Sequence, residues 1–600
     1  MSAPSPRWDL ASPPDPGVVT SLQGALRLPR PLCTLLAVRK LSDPEAAKSF
    51  LRPKLSDLHR PEELPDFRPA VRRILAALDA EETILVHGDY DVDGMAGVAL
   101  LTRFLLGAGG RPVPFVPHRL RDGYDLGPAG LQAAEAAGAS LLISVDCGIL
   151  AHEWVERARN RGIDVVVTDH HAPGDTLPPA AAVINPARKD SSYPNPHLCG
   201  TGVAFKLCQG LAGALGANEA ELHPFLGFVG LATVADLVPL QGENRVLARY
   251  GLKALGETNT PGLRALMREA GIPTERITAG RVGFGLAPRL NALGRLGEPA
   301  DGLRLLLTDD EAEARELARR AERINFDRQD QDRRTLADAL VLLDLEYSPE
   351  RDFGIVLDSD AWHPGVVGIV ASRVVERVHR PAVLIAMDGE RGRGSARSIP
   401  EYHLLNGIRA CGHLLERFGG HRMAAGMEIR RERISEFREA FNLEARRVLE
   451  GKDLRPSLSV DVEVTLDEMS PELHNYLRHL GPHGIGNPGP TFLARRVSIP
   501  QAPRVVGKDH LKLLLRQGNA DLDAIGFHLA GRIAPRSLGS GPVDVVFQLR
   551  ENEYRGVRRL QAHIKDIRST EPASVLDAAA DGHGVGGPAA EGPSADGTPG

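Results

Sequence analysis

Eight residues, His87-Gly88-Asp89-Tyr90-Asp91-Val92-Asp93-Gly94, hold one histidine and three carboxylates. An apolar run, Ile84-Leu85-Val86, leads into them, and a helix-like pattern from Val98 to Leu105 leaves them. Carboxylates this close repel one another unless cations neutralise them, because an unpaired buried charge is costly or shifts its pKa. Oxygen ligands with an imidazole suit hard or borderline divalent ions such as Mg2+ and Mn2+. Further acids and imidazoles follow at Asp146, at Asp169-His170-His171 and at Asp236. Five or six ligands from separate segments exceed what one ion needs beside water and substrate. They suit a pair of ions about 3.5–4 Å apart, the arrangement that stabilises both attacking and leaving oxygens of an in-line phosphoryl displacement.

The elements that must position these groups are legible from apolar periodicity. Between about 71 and 240, short apolar strands (Ile84-Leu85-Val86, Val113 to Val116, Leu141 to Val145, Ile163 to Val167) alternate with helical stretches. Near-continuous apolar strands interleaved with helices predict a parallel, doubly wound sheet. Ligands in such sheets bind beyond the carboxyl ends of the strands. Asp89, Asp91, Asp93, Asp146 and the Asp169-His170-His171 triplet all fall there, and Asp236 closes the apolar helix from Phe225 to Val234.

Six hundred residues require several domains. Residues 1–70 read as a helical lead-in, 71–300 as the acid-bearing α/β domain and 301–347 as a charged connecting helix. A second, smaller α/β lobe spans 348–452, a β-rich domain 453–570 and a disordered Gly/Ala/Pro tail 571–600. The charge of −6 speaks against a wholly nucleic-acid-coated surface but leaves room for a local basic groove. Residues 501–568 hold twelve Lys and Arg against seven Asp and Glu. Five cysteines without a C-x-x-C pair give neither a disulfide framework nor a zinc site. No signal core and no run of ~18 apolar residues is present, so a cytoplasmic protein without a membrane segment is expected. Cys147 reads as a small packed thiol, because no base motif accompanies it.

The motifs are similar in kind and order to those of the DHH phosphoesterase superfamily, and the full set resembles its RecJ family of single-strand-specific exonucleases. They are HGDYDVDG (87–94), PHRLRDGYDLGP (117–128), VDCGI (145–149), TDHH (168–171), ADLVPL (235–240), APRLNALGR (287–295), HPGVVGIVASR (363–373), GRGSARS (392–398) and GGHRMAAG (419–426). One departure is Asp125, where the family generally has Gly after the Tyr. The resemblance implies a parallel-sheet DHH lobe, joined by a long helix to an α/β DHHA1 lobe and followed by an OB-type β-barrel.

It also implies two Mn2+ or Mg2+ ions. Asp91 and Asp93 would each hold one, Asp146 would bridge them, and His170 and Asp236 would complete the shell of the second ion. His87 or Asp89 would support the first ion, and His171 would face the scissile phosphate.

Glycines let backbone approach a ligand, and a hydroxyl with a guanidinium fork suits a terminal phosphate. Ser395, Arg397, Gly419, Gly420 and His421 are therefore substrate-binding candidates, with Arg119 and Arg289 on the opposite wall. The expected activity is 5'→3' hydrolysis of single-stranded DNA to 5'-mononucleotides, in DNA repair and recombination. The enzyme is expected to act as a monomer, with single-strand-binding protein or a helicase as candidate partners. The rival readings are a DHH phosphodiesterase for oligoribonucleotides or cyclic dinucleotides, and a non-catalytic single-strand-binding scaffold.

Overall fold

The computed structural model describes residues 5–533, 538, 541–554 and 557–570. The 571–600 tail lies outside them. The chain forms two compact units, Met1–Val462 with Pro471–Thr491, and Glu463–Ser470 with the chain from Phe492 on.

In the first unit a five-stranded sheet is built from β1 (Thr83–Gly88), β2 (Arg111–Phe115), β3 (Leu141–Val145), β4 (Asp164–Thr168) and β5 (Ala182–Ile184). Its order is β2-β1-β3-β4-β5, with every pairing parallel. The strand order reverses between β1 and β3, so a crevice opens beyond their carboxyl ends. One face of the sheet carries Ile84 and Val86, packed with α1 (Val92–Gly107), α2 (Gly200–Ala214) and α3 (Leu226–Ala235). Leu85 and Leu142 pack on the other face.

A helix from Ala287 to Leu296, α4, precedes the connector α5 (Glu311–Glu346), which is 36 residues or about 54 Å long. Asp310 caps α5, accepting from the Ala312 and Glu313 amides. Ala314, Leu317, Ala318 and Ala321 of α5 join the core of the first lobe, whereas Ala339 and Leu343 join that of the second. The helix thus packs into both cores.

The second lobe has β6 (Ile355–Ser359), helix α6 (Val367–Val378), β7 (Ala382–Asp388), β8 (Arg391–Arg397), β9 (Arg417–Gly420) and β10 (Ala424–Arg430). Its order is β9-β10-β8-β7-β6, and only β6 and β7 pair in parallel. Period-two alternation buries Gly392, Gly394 and Ala396 of β8 and turns Arg393, Ser395 and Arg397 to the other face.

The second unit carries β11 (Phe492–Val497), β12 (Arg504–Val506), β13 (His510–Gln517), β14 (Ala520–Gly526), β15 (Val543–Tyr554) and β16 (Val557–Ser569). They lie in the order β11-β15-β16-β14-β13-β12. An isolated bridge, Ser498 with Arg516, curls the sheet on itself, and no continuous ladder closes it among the described residues. No helix among the described residues is long and apolar enough to cross a membrane.

Two features depart from the expected layout. A strand at Arg7–Leu10 precedes the lead-in helices and pairs in parallel with Ser457–Val460. The turn-dense stretch 481–488 packs on the first lobe, where the Leu240 amide donates to the Ile485 carbonyl at 2.7 Å.

Residues ahead of the sheet are tied down by a fully buried ion pair, Lys206 Nζ to Glu243 Oε1 at 2.5 Å. The Tyr193 hydroxyl and the His59 amide also donate to Glu243. Removing one partner strands the other charge in the core, so Glu243→Ala should cost about 3–5 kcal/mol in chemical denaturation. A loss below about 1 kcal/mol would show that the pair contributes little.

Candidate metal centre

The acidic loop is fixed first by its own helix. Asp91 is the N-cap of α1, and its Oδ1 accepts from the Asp93 amide at 2.9 Å and the Gly94 amide at 3.2 Å. Position 94 must be glycine, because a Cβ there would lie 2.4 Å from the Asp89 backbone. The Val92 amide donates to Asn291 Oδ1 of α4, which ties the loop to the APRLNALGR segment. Asp93 points at the start of α2, where the Gly200 and Thr201 amides donate to its two oxygens at 2.7 Å each.

The remaining groups come from strand and helix ends. Asp146 follows β3 with a left-handed φ of 64°, and a Cβ on Gly200 would lie 2.5 Å from its Cβ. Asp236 caps α3, and the next residue, Leu237, is left-handed at φ 60°. Backbone strain of this kind persists where the surroundings over-determine it, and it clusters at functional sites.

Asp169 is a buried anchor. Its carboxylate accepts from the amides of Ile149, His170 and His171 and from His171 Nδ1 at 2.8 Å. Burial pushes its pKa up, but the bond and charge of His171 outweigh that and hold it below the ordinary range. Burial pushes His171 down, yet Asp169 and the nearby acids raise it to about 9, so the ring is an imidazolium at neutral pH. The Tyr124 hydroxyl lies 3.2 Å from its Nε2.

His170 Nε2 sits 3.0 Å from Asp146 Oδ1, 3.7 Å from Asp236 Oδ2 and 3.8 Å from Asp93 Oδ2. Although close, His170 Nε2 and Asp146 Oδ1 make no hydrogen bond, and neither does buried Asp89 Oδ1. Ligands at neighbouring corners of an octahedral ion with ~2.1 Å bonds lie ~3 Å apart. The aimed, unpaired atoms therefore fit a shared cation. Three overlapping groups place their ligand atoms within 4.8 Å of one another: Asp89-Asp91-Asp146, Asp93-His170-Asp236 and Asp146-His170-His171. Burial, then mutual repulsion, drives Asp89 and Asp146 well above the usual carboxylate range and Asp236 to about 8. Burial lowers His170 and leaves its ring neutral, as a metal ligand must be.

His87 is not brought into these groups. Strand alternation turns it to the Leu85 face, where it packs beside Phe115 and Gly130 with Nδ1 3.5 Å from Cys147 Sγ. Burial lowers its pKa to about 4. The Cys147 thiol is buried and pushed far up, which suits a packed thiol and not a nucleophile. Asp125 takes a left-handed φ of 75°, the conformation glycine favours, and its Oδ1 accepts from the Gly148 amide.

Arg119, Ser395 and Gly419 line one cavity of about 680 Å3 with Tyr90, which stands between Asp89 and Asp91. The guanidinium of Arg119 lies 5.4 Å from the Tyr90 ring centroid. Arg397 lies close to Ser395 across the start of α6, since a Cβ on Gly368 would meet both side chains. Gly420 (φ 147°) and exposed His421 form the β9–β10 turn and do not line that cavity. Arg289 is tied elsewhere, to Glu322 of α5 and to the Gly285 carbonyl. Sequence reasoning passed over Arg295, one helical turn and a half further on. Burial and the neighbouring Arg119, Arg328 and Arg397 lower it to about 10. It was visible only as the last letter of APRLNALGR.

Residues 83–233 match the DHH family, N-terminal domain, 352–447 the DHHA1 domain and 460–566 the RecJ OB domain. The single-stranded-DNA-specific exonuclease RecJ of Bacillus subtilis is 33% identical over 574 residues, covering 95% of this chain and 72% of that protein. The chain belongs to the RecJ family. RecJ of Escherichia coli is 36% identical over 526 residues, 84% of this chain and 91% of its own. Among solved structures, RecJ of Thermus thermophilus in complex with Mn2+ superposes with a TM-score of 0.81 at 32% identity, over 94% of this chain and 80% of that one. The aspartates and histidines of the first-lobe motifs thus converge on one crevice, with Asp169 as the residue that orients the pair of histidines.

If the unpaired atoms are ligands, calorimetric titration with Mn2+ should give two ions per chain. Asp146→Ala, shared between two of the groups, should lose at least one of them while the far-UV spectrum is unchanged. An unaltered isotherm would exclude Asp146 from the metal shell.

Proposed function

We propose that this chain is a divalent-metal-dependent exonuclease that removes 5'-mononucleotides from single-stranded DNA in the 5'→3' direction. The observation that carries the reading is continuity. A cavity with a hydroxyl and guanidinium groups opens at Tyr90, inside the same loop that supplies Asp89 and Asp91 to the carboxylate cluster.

Asp91, Asp93, Asp146, His170 and Asp236 would hold the ions, with Asp146 shared and Asp89 supporting, and His87 a packing residue. Two Mn2+ or Mg2+ ions, when bound, would neutralise charge on the attacking and leaving oxygens of the displaced phosphoryl group. His171, charged and locked by Asp169, offers a hydrogen-bond donor to the phosphoryl oxygens as negative charge develops. Arg119, Arg397 and Ser395, with the Gly419 backbone beside them, would grip a terminal 5'-phosphate. That grip sets the chain end at a fixed distance from the cluster and so produces both 5'→3' polarity and mononucleotide steps. Burial lowers the Arg397 pKa, yet the guanidinium remains charged at neutral pH.

The C-terminal β-domain favours long single strands over oligoribonucleotides or cyclic dinucleotides as substrate. The complete carboxylate set disfavours a non-catalytic scaffold. In the cell the reading places the enzyme in the cytoplasm as a monomer in DNA repair and recombination, with single-strand-binding protein or a helicase as candidate partners.

Digestion of 5'- and 3'-labelled single-stranded DNA and RNA with Mn2+ or EDTA tests the assignment. Immediate release of 5' label as mononucleotide from DNA, abolished by EDTA, is expected, and loss of 3' label first would reverse the polarity. Arg397→Ala should reduce activity on 5'-phosphorylated ends at least ten-fold more than on 5'-hydroxyl ends. Equal losses would remove the phosphate role from Arg397.

A further inference from the structure

The described residues hold a further group of metal-ligating side chains outside the first lobe. Asp509, His510 and His528 of the second unit place their ligand atoms within 4.8 Å of one another. Two chain segments supply them. Asp509 ends the turn between β12 and β13, which Gly507 enters at a left-handed φ of 63°, and His510 opens β13. His528 lies two residues beyond β14 and is itself left-handed at φ 55°. The β13–β14 ladder, in which Leu511 faces Gly526, brings the two segments together. The Ala530 amide then donates to the Asp509 carbonyl at 3.0 Å. The ligand-bearing backbone is therefore held by contacts of its own.

The side chains converge on that frame. His528 Nδ1 is 2.9 Å from both Asp509 oxygens. His510 Nδ1 is 3.1 Å from Asp509 Oδ1, but its hydrogen bond comes from the His528 amide, also at 3.1 Å. A nitrogen that accepts that bond carries no proton to share with the carboxylate. The two imidazoles stand at 90° with ring centroids 4.8 Å apart, and Phe527 packs edge-on against His510 at 5.2 Å. An ordinary ion pair explains Asp509 with His528. It does not explain a second imidazole brought onto the same carboxylate.

Donor chemistry selects the ion. The carboxylates of the first lobe suit Mg2+ and Mn2+, whereas two imidazoles with one carboxylate suit Zn2+ and its neighbours in the affinity series. Zinc bonds of ~2.0–2.2 Å set tetrahedral ligand atoms ~3.4 Å apart, so the observed spacings need open by only a few tenths of an ångström.

We propose that Asp509, His510 and His528 form a separate site for a Zn2+-class ion, with water in the fourth position. The ion replaces the proton that joins His528 to Asp509 and the amide that His510 accepts from. It clips the β12–β13 turn to the segment after β14 and takes no part in phosphodiester hydrolysis. Mn2+, at the weak end of the series, leaves this site to Zn2+.

The test is equilibrium dialysis of the full-length chain against Zn2+ in saturating Mn2+, with bound metals counted by mass spectrometry. The wild type should hold one Zn2+ per chain more than the double variant His510→Ala/His528→Ala. Any Zn2+ that reaches the carboxylate cluster is the same in both. Each single substitution should weaken the extra ion by about ten-fold or more, since even the loss of an outer-shell partner costs that much. Asp509→Asn, which keeps the shape of the side chain, should weaken it as well. The His528 side chain is 76% exposed, so its removal opens no core. Zn2+ should also slow hydrogen exchange of the Ala530 amide in the wild type and not in the double variant. Equal Zn2+ counts in wild type and double variant would overturn the site, and unchanged exchange at Ala530 would overturn the clip.

Discussion

The first lobe is built around a repulsion. Asp89, Asp91, Asp93, Asp146 and Asp236 converge in one crevice largely shut off from water, where burial, reinforced by the repulsion of like charges, raises the pKa of Asp89, Asp91, Asp146 and Asp236. A fold does not assemble such a cluster without compensation. Part of it is backbone: the α1 amides on Asp91 and the α2 amides on Asp93 place helix N-termini against the negative charge. The unpaired atoms at the centre mark what backbone does not satisfy.

The parallel sheet explains why the cluster forms where it does. The order β2-β1-β3-β4-β5 puts the reversal point between β1 and β3, so the acidic loop and Asp146 are neighbours although 53 residues or more separate them. Helix α5 extends the construction to the second lobe, because its two ends are embedded in different cores. Ser395 and Arg397 reach the cleft through the alternation of β8, and the glycines of that strand let it pack flat on its other face.

Much of this was legible in the sequence. Continuous apolar strands ending in acids locate the crevice, and the charged, Gly-free run from Glu311 announces a long helix. What escaped depends on facing and partners. His87 stands in the richest motif, but it packs beside Phe115 and outside the three ligand groups, with its buried Nε2 unpaired. Arg289 and Arg295 look equivalent in APRLNALGR, yet Glu322, 33 residues away, claims the first and leaves the second among the cleft arginines. The pairing of Arg7–Leu10 with Ser457–Val460 joins segments about 450 residues apart, and no local pattern encodes that. Asp169 was visible only as the first letter of a motif; its four accepted hydrogen bonds are a tertiary fact.

Anomalous diffraction from crystals soaked in Mn2+ tests the carboxylate cluster as a two-ion site most directly. Two peaks about 3.5–4 Å apart are expected, with Asp146 between them and His170 and Asp236 on one. A single peak, or density centred on His87 or elsewhere, would contradict the two-ion assignment.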